Sequence, residues 1–418
     1  ELTPVGAEKG GNADGTIPAW TPIKKAGDLS GGYSSDPAID GEKPLFTITA
    51  ANMAQYADKL TEGNKELMRR YPDSYKMNVY KSYRKVAWPQ EIYDATKKNA
   101  TSCELVDIDT PDNCELGFPF PIVKSGAEPI WNHKLKWRGN EVTRYNNQMI
   151  VQMSGDYQLT KITEDVKFSY ANMDNPVKLT KGAGEFLKYL SETVAPPRLA
   201  GTFILVHEKA GVGAEGRSAW LYSPGLRRIR RAPTVCCDNP YEGTDGHQFY
   251  DQVDMFNGVL ERYNWKLLGK REMYIPYNSN FISGPEVSYE GIAAPKHLNQ
   301  EFPRYELHRV WVVEANVKEG TNHSIAKRVF YIDEDSWSIA EVDHYDTRDQ
   351  LWRVGERHSF YHYAQQAPLS AADVFHDLQN GRYIALSMAN EQRDGYRFDY
   401  RASTSDYSPG ALRSSGVR

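Results

Sequence analysis

Between residues 130 and 365 the chain alternates short apolar segments with turn residues, a pattern that predicts β-strands. The segments are rich in Val, Ile, Tyr, Trp and Thr, whose branched or aromatic side chains fit a pleated surface. We place strands at 141–153, 201–208, 218–223, 305–317, 327–332, 336–345 and 351–359. Because the turns at 333–336 and 347–350 are short, the last three strands should form an antiparallel meander.

Helical periodicity is confined to shorter stretches. Apolar residues recur near helical spacing from about 50 to 70, and Pro89 suits the first position of a second short helix. We also predict helices at 185–192 and 247–260. Ser370 and Asp373 have the spacing of a helix start, and Gly381 suits a helix end, so a last helix is predicted between them.

This distribution predicts three regions in a β-rich α+β fold with one large antiparallel sheet. Residues 1–130 form an N-terminal extension with short helices. Its first 45 residues are rich in Gly, Pro and Asp and should be extended, with Trp20 as an anchor. Residues 131–365 form the β domain, and residues 366–418 carry the last helix and a polar tail.

The charge balance and the apolar content exclude several classes of protein. Lys and Arg number 50 against 55 Asp and Glu, a net charge of −5, whereas domains that bind nucleic-acid phosphates usually carry a basic excess. An apolar fraction of 40% suffices for a sizeable core, so disorder is not expected. Apolar runs such as 203–206 and 310–313 are far shorter than the roughly 18 residues of a membrane helix.

The four cysteines bear on the cellular compartment. Cys103 and Cys114 flank a polar loop rich in Asp, so we predict a disulfide between them. Zinc is disfavoured because there is no C-x-x-C and no nearby pair of histidines. For the adjacent Cys236 and Cys237, a vicinal disulfide, free thiols and pairing elsewhere all stay open. The loop disulfide and a chain that opens at Glu1 favour a bacterial periplasm after removal of a signal peptide.

The segment 218–231 is the strongest local motif: a strand, a Pro-Gly turn and a second strand with four arginines. Alternation places Arg228 and Arg230 on the same face of that strand. One interpretation is a solvated hairpin whose arginines pair with the acidic residues near Asp251 and Asp254. The other interpretation is contact with an anionic ligand or head group.

Sequence motifs of enzymes are absent. The chain has no H-E-x-x-H, G-x-S-x-G or G-x-x-x-x-G-K-[ST]. His358 and His362 lie in a strand-like segment, where their spacing only places them on the same sheet face. We therefore predict no catalytic residue, no metal and no cofactor, and we do not expect an enzyme.

Aromatic side chains are concentrated on the predicted strands. Those that stand out are Trp220, Tyr222, Trp311, Tyr331, Trp337, Trp352 and Phe360. They are either ordinary residues of a sheet core or part of a cavity enclosed by a curved sheet. In the second case their apolar surfaces would hold a lipid-like ligand.

Three blocks of sequence resemble a proteobacterial family of unknown function that is similar to outer-membrane lipoprotein-sorting proteins. They are 2–20 (LTPVGAEKGGNADGTIPAW), 220–231 (WLYSPGLRRIRR) followed by 251–254 (DQVD), and 328–337 (RVFYIDEDSW) followed by 345–346 and 351–353. The wider group includes the periplasmic carriers LolA and LolB. The resemblance implies an incomplete β-barrel, a strongly curved antiparallel sheet that helices close around acyl chains. Family members are often found with resistance-nodulation-division exporters, which implies a role in envelope transport.

We therefore predict a periplasmic carrier or binding protein for a hydrophobic or amphipathic ligand, with an inner-membrane exporter and an outer-membrane protein as candidate partners. The alternatives are an exporter adaptor without a ligand of its own and, third, a periplasmic hydrolase. The candidate ligand residues are Phe203, Leu205, Trp220, Tyr222, Trp311, Val313, Tyr331 and Trp352, with Arg228 and Arg230 at the rim. Which strand face points inward stays open, because a shift of one residue exchanges the two faces.

Overall fold

The computed structural model describes residues 1–23, 36, 38–181, 184–211, 216–393, 395–398 and 404–416. Its strands are β1 (Phe46–Ile48), β2 (Met77–Val79), β3 (Glu104–Asp107), β4 (Thr110–Asp112), β5 (Glu141–Tyr145), β6 (Asn147–Val151), β7 (Tyr157–Phe168), β8 (Glu185–Ala195), β9 (Phe203–Lys209), β10 (Arg217–Ser223), β11 (Arg228–Arg231), β12 (Tyr263–Pro276), β13 (Tyr305–Val317), β14 (Lys327–Asp333), β15 (Ile339–Tyr345), β16 (Leu351–His362), β17 (Ala367–Asp377), β18 (Tyr383–Met388) and β19 (Tyr396–Arg397). Its α-helices are α1 (Glu62–Arg70), α2 (Gln90–Ser102), α3 (Ala127–Leu135), α4 (Tyr289–Ile292) and α5 (Pro409–Gly416).

Most of the strands belong to one antiparallel sheet. Pairing runs from β12 through β18 in chain order, then passes to β6, β7, β8, β9, β10 and β11. Strands β1 and β2 pair with each other, and β2 meets the start of β13 in parallel. The structure thus confirms the predicted β-rich α+β fold, and the predicted meander is formed by β14, β15 and β16.

The sheet is strongly curved and does not close into a barrel. Asn146 separates β5 from β6. The two strands pair with successive parts of the same edge of β7, so the ladder is interrupted at this residue. The chain from β18 to β19 is interrupted in the same way: β18 pairs with β6, and β19 pairs with β5. A bulge between Leu267 and Gly269 bends β12, and the φ of +105° at Gly269 favours glycine there.

Helices and the N-terminal segment pack against this sheet. Helix α1 lies on β15 and β16, and Thr61 caps it by accepting a hydrogen bond from the backbone N–H of Asn64 at 3.0 Å. Trp131 of α3 and Trp337 of the β14–β15 turn are fully buried in the largest hydrophobic cluster. The Trp337 indole N–H donates to the carbonyl of Val5 at 3.0 Å, which anchors the start of the chain. All the helices in the described ranges are too short or too polar to span a bilayer.

Three of the predicted helices are wrong. Residues 185–192 lie in β8, which pairs with β7 and β9, and 370–377 lie in β17, of which all eleven residues are buried. The apolar spacing in both segments also fits a helix, and pairing with distant strands overrides it. Asp373 does not support a helix start, because its carboxylate binds the Arg357 guanidinium of β16 at 2.8 and 2.7 Å. In 247–260 only the short turn Tyr250–Gln252 is helical.

Two other predicted helices exist with different bounds. The periodic stretch from 50 to 70 is split into a 3-10 helix, Met53–Lys59, and α1, because the chain is extended at Leu60 and Thr61. Helix α2 begins at Gln90, so Pro89 is its N-cap rather than its first helical residue. Residues 24–35, 37, 399–403 and 417–418 of the predicted extended segment and polar tail lie outside the described ranges.

The predicted disulfide between Cys103 and Cys114 is confirmed. It joins Cys103, at the end of α2, to Cys114, the second residue after the hairpin β3–β4. Cys236 and Cys237 are free thiols whose sulfur atoms lie 2.7 Å apart. The structure therefore decides between the alternatives that the sequence left open for this pair.

Candidate ligand cavity

A cavity of about 130 Å³ is lined by one face of β5, β7, β8 and β9. The end of α3, the chain from Lys136 to Arg138 and the segment 235–257 form its other sides, together with the start of β17 and residues 396–398. Its walls are mainly apolar. The apolar lining residues are Val142, Val166, Phe168, Phe186, Leu187, Tyr189, Ile204, Val206, Val235, Tyr241, Tyr250, Val253, Phe256, Pro368, Leu369, Tyr396 and Phe398.

Strand β9 shows which face of the sheet points inward. Ile204 and Val206 line the cavity and pack with Val235 and Tyr241 of the following segment. Phe203 and Leu205, the predicted ligand residues, point to the opposite face, because successive side chains alternate along a strand. The two faces of β9 are equally apolar, so its sequence does not distinguish them.

The outward face of these strands is covered by the end of the chain. Phe203, Leu205 and Tyr222 form a buried cluster with Tyr407 and Leu412, the latter in α5. Trp220, also predicted to contact ligand, is half-buried against the same cluster. This face is therefore occupied by the protein itself.

The other predicted residues lie elsewhere on the sheet. Val313 and Tyr331 are buried in the largest hydrophobic cluster, and Trp311 is half-buried with the Lys270 ammonium 4.9 Å from its ring. Trp352, on β16, packs edge-on against Phe249, and neither of these two residues lines the cavity. None of the ten candidate ligand residues, all of which the structure describes, lines this cavity.

Arg228 and Arg230 are exposed on β11, at the edge of the sheet. The acids proposed to pair with them have other partners: Asp251 binds Arg328 at 2.7 Å, and Asp254 binds Arg357 at 2.7 Å. Within the described ranges neither arginine of β11 forms an ion pair. The predicted pairing with the acidic segment is therefore wrong, and the arginines are solvated.

Charged side chains interrupt the apolar lining, and cations outnumber acids. The cations are Lys134, Lys136, Arg138, Arg144, Arg217 and Arg357, and the acids are Glu164, Glu208 and Asp254. Two acids are fully used within the wall: Glu164 accepts hydrogen bonds from Arg144 and Tyr189, each at 2.7 Å, and Glu208 pairs with Arg217. The excess of positive charge contrasts with the acidic chain as a whole.

Asp254 is the third acid and is shared by several cations. Its Oδ2 lies 3.0 Å from the Lys136 ammonium and 3.0 Å from the Arg138 guanidinium, while Oδ1 lies 2.7 Å from Arg357. Burial by itself would raise the pKa of Asp254, but the cations outweigh it and hold that pKa well below its usual value. Asp254 is therefore ionised at neutral pH.

Comparison with known proteins gives the family. A family model described as a protein of unknown function, DUF1329, matches residues 47–413. The chain belongs to the DUF1329 family. An uncharacterized protein of Pseudomonas aeruginosa is 47% identical over 422 residues, which cover 100% of this chain and 92% of that protein. The resemblance predicted from the three sequence blocks is thereby confirmed.

Solved structures similar to this DUF1329 protein include three that align over much of their length. A putative outer membrane lipoprotein-sorting protein domain from Vibrio parahaemolyticus is 17% identical, with a TM-score of 0.46, covering 69% of this chain and 98% of that one. A DUF1329 family protein from Desulfovibrio piger is 14% identical, with a TM-score of 0.42, covering 66% and 92%. A LolA superfamily protein from Nitrosomonas europaea is 9% identical, with a TM-score of 0.41, covering 68% and 98%.

One group of side chains in the described part of this DUF1329 protein offers three ligand atoms for a metal, all within 4.8 Å of one another: His308, Asp333 and Asp335. Each of the three has at least one partner within the protein, and the Tyr277 hydroxyl donates to Asp333 at 2.8 Å, while His308 Nδ1 and Asp333 Oδ1 have none among the described residues. The Arg84 guanidinium binds both oxygens of Asp335, at 2.9 and 2.7 Å, and His308 lies 2.9 Å from Glu306. The negative charge of Asp335 is therefore neutralised by Arg84, without a metal ion.

Sequence reasoning missed the cations of the cavity wall. Lys134, Lys136 and Arg138 alternate with Leu135 and Trp137. This alternation of basic and large apolar residues could have indicated an extended segment with one charged face and one buried apolar face. The alternation alone does not show a cavity, since the strand residues that share it include Leu369 of β17, 231 positions after Arg138.

Proposed function

We propose that this DUF1329 protein is a periplasmic carrier or binding protein for a hydrophobic or amphipathic, lipid-like ligand. The observation that carries the proposal is the cavity enclosed by β5, β7, β8 and β9, whose walls are mainly apolar. Ligand pockets of this kind combine apolar walls with a few polar groups that fix orientation. The Cys103–Cys114 disulfide supports the compartment, because such bonds persist in oxidising environments such as the periplasm.

The free energy gained by burying an apolar ligand in the cavity is suited to a carrier. A ligand that buries on the order of 300 Å² of apolar surface gains ~7 kcal/mol before the cost of association is subtracted. Even before that cost, ~7 kcal/mol corresponds to a dissociation constant of only about 10 μM, so apolar contact alone binds weakly enough to allow release. An exporter and an outer-membrane protein as the source and the receiver of the ligand stay predictions from the resemblance.

The test is binding of amphiphiles to protein purified without detergent. Native mass spectrometry is expected to show a co-purified lipid-like ligand, and a fluorescent fatty acid should bind and be displaced by unlabelled fatty acid. Val206→Trp fills the cavity from the inward face of β9 and should abolish binding. Val194→Trp is the matched control, because Val194 is exposed on β8 and does not line the cavity.

Two results would contradict the proposal. The first is a folded wild-type protein that binds no amphiphile and carries none. The second is unchanged binding by Val206→Trp when the variant is folded. In either case the predicted exporter adaptor, which has no ligand of its own, would replace the carrier as the leading hypothesis.

A further inference from the structure

The cavity wall contains a lysine without an acidic partner. The Lys134 ammonium donates to the carbonyl of Gly258 at 2.6 Å and lies 4.7 Å from the Trp131 ring. Asp109 and Glu208 are near enough to attract the ammonium, but neither forms an ion pair with it among the described residues. Burial outweighs this attraction and lowers the pKa of Lys134 to about 8. A cation that has no carboxylate paired with it in an apolar wall is costly, so this position favours an anionic ligand.

A second cation of the same wall has an unused donor. The Arg138 guanidinium gives one N–H to Asp254 at 3.0 Å and lies 4.8 Å from the Phe168 ring. Its Nε is buried and has no hydrogen-bond partner among the described residues. An unpaired buried donor lowers stability, and the planar guanidinium is suited to binding a carboxylate or a phosphate through two hydrogen bonds.

The carboxylates around Arg138 are fewer than the basic side chains that they contact. Asp254 is shared by Lys136, Arg138 and Arg357, and Arg357 takes a second carboxylate from Asp373. Two carboxylates thus face three basic side chains, in addition to Lys134, and burial holds the pKa of one of them, Lys136, well below its usual value. An anion bound inside the cavity would complete this arrangement.

We infer that the cavity selects amphiphiles with an anionic head group, a carboxylate or a phosphate, which Lys134 and Arg138 bind while the apolar walls hold the chain. The inference rests on the proposed carrier function and adds to it the class of ligand. It also assigns the head group to the interior of the cavity instead of the exposed arginines of β11.

The experiment compares ligands that share one hydrocarbon chain and differ only in the head group. Oleate, oleoyl lysophosphatidate and oleyl alcohol compete for the site in wild-type protein, below their micelle-forming concentrations. We expect the two anions to bind at least about tenfold more tightly than the alcohol. The stronger of the two anions distinguishes a fatty acid from a phosphate-bearing lipid.

Variants of the two cations locate the head group. Lys134→Met and Arg138→Met should each reduce the preference for the anions by about tenfold, and leave the affinity for oleyl alcohol within about twofold of wild type. Lys134→Arg keeps the charge and should keep the preference. Arg228→Met removes an exposed cation of β11 that does not line the cavity and is the matched control.

The outcomes separate this inference from the function on which it rests. Equal affinity for oleate and oleyl alcohol in wild type overturns the anionic head group and leaves the carrier intact. No binding of any of the three overturns the carrier. A preference that persists in folded Lys134→Met and Arg138→Met, or that is lost in Arg228→Met, overturns the assignment of the head group to the cavity. The wild-type comparison needs no variant, so a misfolded substitution does not affect it.

Discussion

Leu205 of β9 and Leu412 of α5 are buried in the same cluster, although 207 positions of chain separate them. The contact covers the outer face of the sheet, opposite the cavity. The last helix of the described chain therefore covers the outer face of β9. None of its described residues lines the cavity, which lies on the other face of the strand.

Removing the apolar anchor of α5 should release it from the sheet. We expect Leu412→Ala to lower the free energy of docking of α5 by about 2–4 kcal/mol, because Leu412 is buried and its truncation leaves a cavity. Hydrogen exchange of α5 and of β9 to β11 measures the effect. Arg413→Ala, at the exposed neighbouring position, should change exchange by less than about 0.5 kcal/mol. Equal protection in both variants would show that the cluster does not hold the helix.

The ion pair between Arg84 and Asp335 should matter more than any surface pair. The Arg84 guanidinium binds both carboxylate oxygens and also donates to the carbonyl of Glu8 at 2.6 Å, so it ties the N-terminal segment to the β14–β15 turn. Arg84→Met leaves Asp335 buried and unpaired, and we expect a loss of about 3–5 kcal/mol in the free energy of unfolding by urea.

The comparison for this prediction is Lys76→Met. Lys76 forms an ion pair with Glu301 in which the acid is largely exposed, and such pairs contribute about 0–1 kcal/mol. If the two variants lost the same free energy, the Arg84 pair would not anchor the N-terminal segment as described.

A buried acidic cluster should contribute a loss of stability as the pH rises. Burial raises the pKa of Asp343 to about 7 and that of Glu356 to about 7, and it raises that of Glu341 well above its usual value. Carboxyl groups in an unfolded chain titrate near pH ~4, so between about pH 4 and 7 the folded state binds more protons. Each of these three groups therefore contributes a decrease in the free energy of unfolding across this range, whereas the buried histidines, whose pKa burial lowers, contribute an increase.

Asp343→Asn should reduce that dependence. The variant cannot ionise, so we expect it to be more stable than wild type at about pH 8, by up to ~4 kcal/mol, and to lose this advantage near pH ~4. Urea denaturation at several pH values measures both slopes. Asp73→Asn, on an exposed acid, should leave the slope unchanged. A stability difference between Asp343→Asn and wild type that does not grow from about pH 4 to pH 8 would be incompatible with the buried cluster.

The loop disulfide should stabilise the region between α2 and β4. The bond closes a loop with a sequence separation of 11. Restriction of the unfolded chain then contributes a little under ~3 kcal/mol. We expect the double variant Cys103→Ser, Cys114→Ser to lose about that amount, measured by denaturation without reductant. With reductant present, wild type and the double variant should become equal, and a difference that survives reduction would point to a packing effect.

Several features of the fold follow from local sequence. The strands that form β14, β15 and β16 are separated by short acidic turns, so only an antiparallel meander can join them. The loop between Cys103 and Cys114 is polar and short, which brings the two thiols within bonding reach. In both cases the partners are close in sequence, and nearby partners leave few alternative arrangements.

Two features depend on distant residues: which face of β9 points to the cavity, and the fact that β8 and β17 are strands and not helices. In β9 the four residues from Phe203 to Val206 are all apolar, so alternation does not mark one face as the interior. The 235–257 segment buries one face, and Leu412 with Tyr407 buries the other. Segments whose apolar spacing fits a helix became strands because the sheet offered partners on both sides.

The sequence by itself determined the family, the β-rich sheet, the meander and the disulfide, because each is set by a local pattern or by neighbouring residues. The tertiary structure alone decided the position of the cavity and the cations that line it. Lys134 and Arg138 share the cavity with Arg357 and with strand residues as distant as Leu369 of β17, 231 positions after Arg138. No local pattern encodes which distant side chains meet, since their meeting depends on the curvature of the whole sheet.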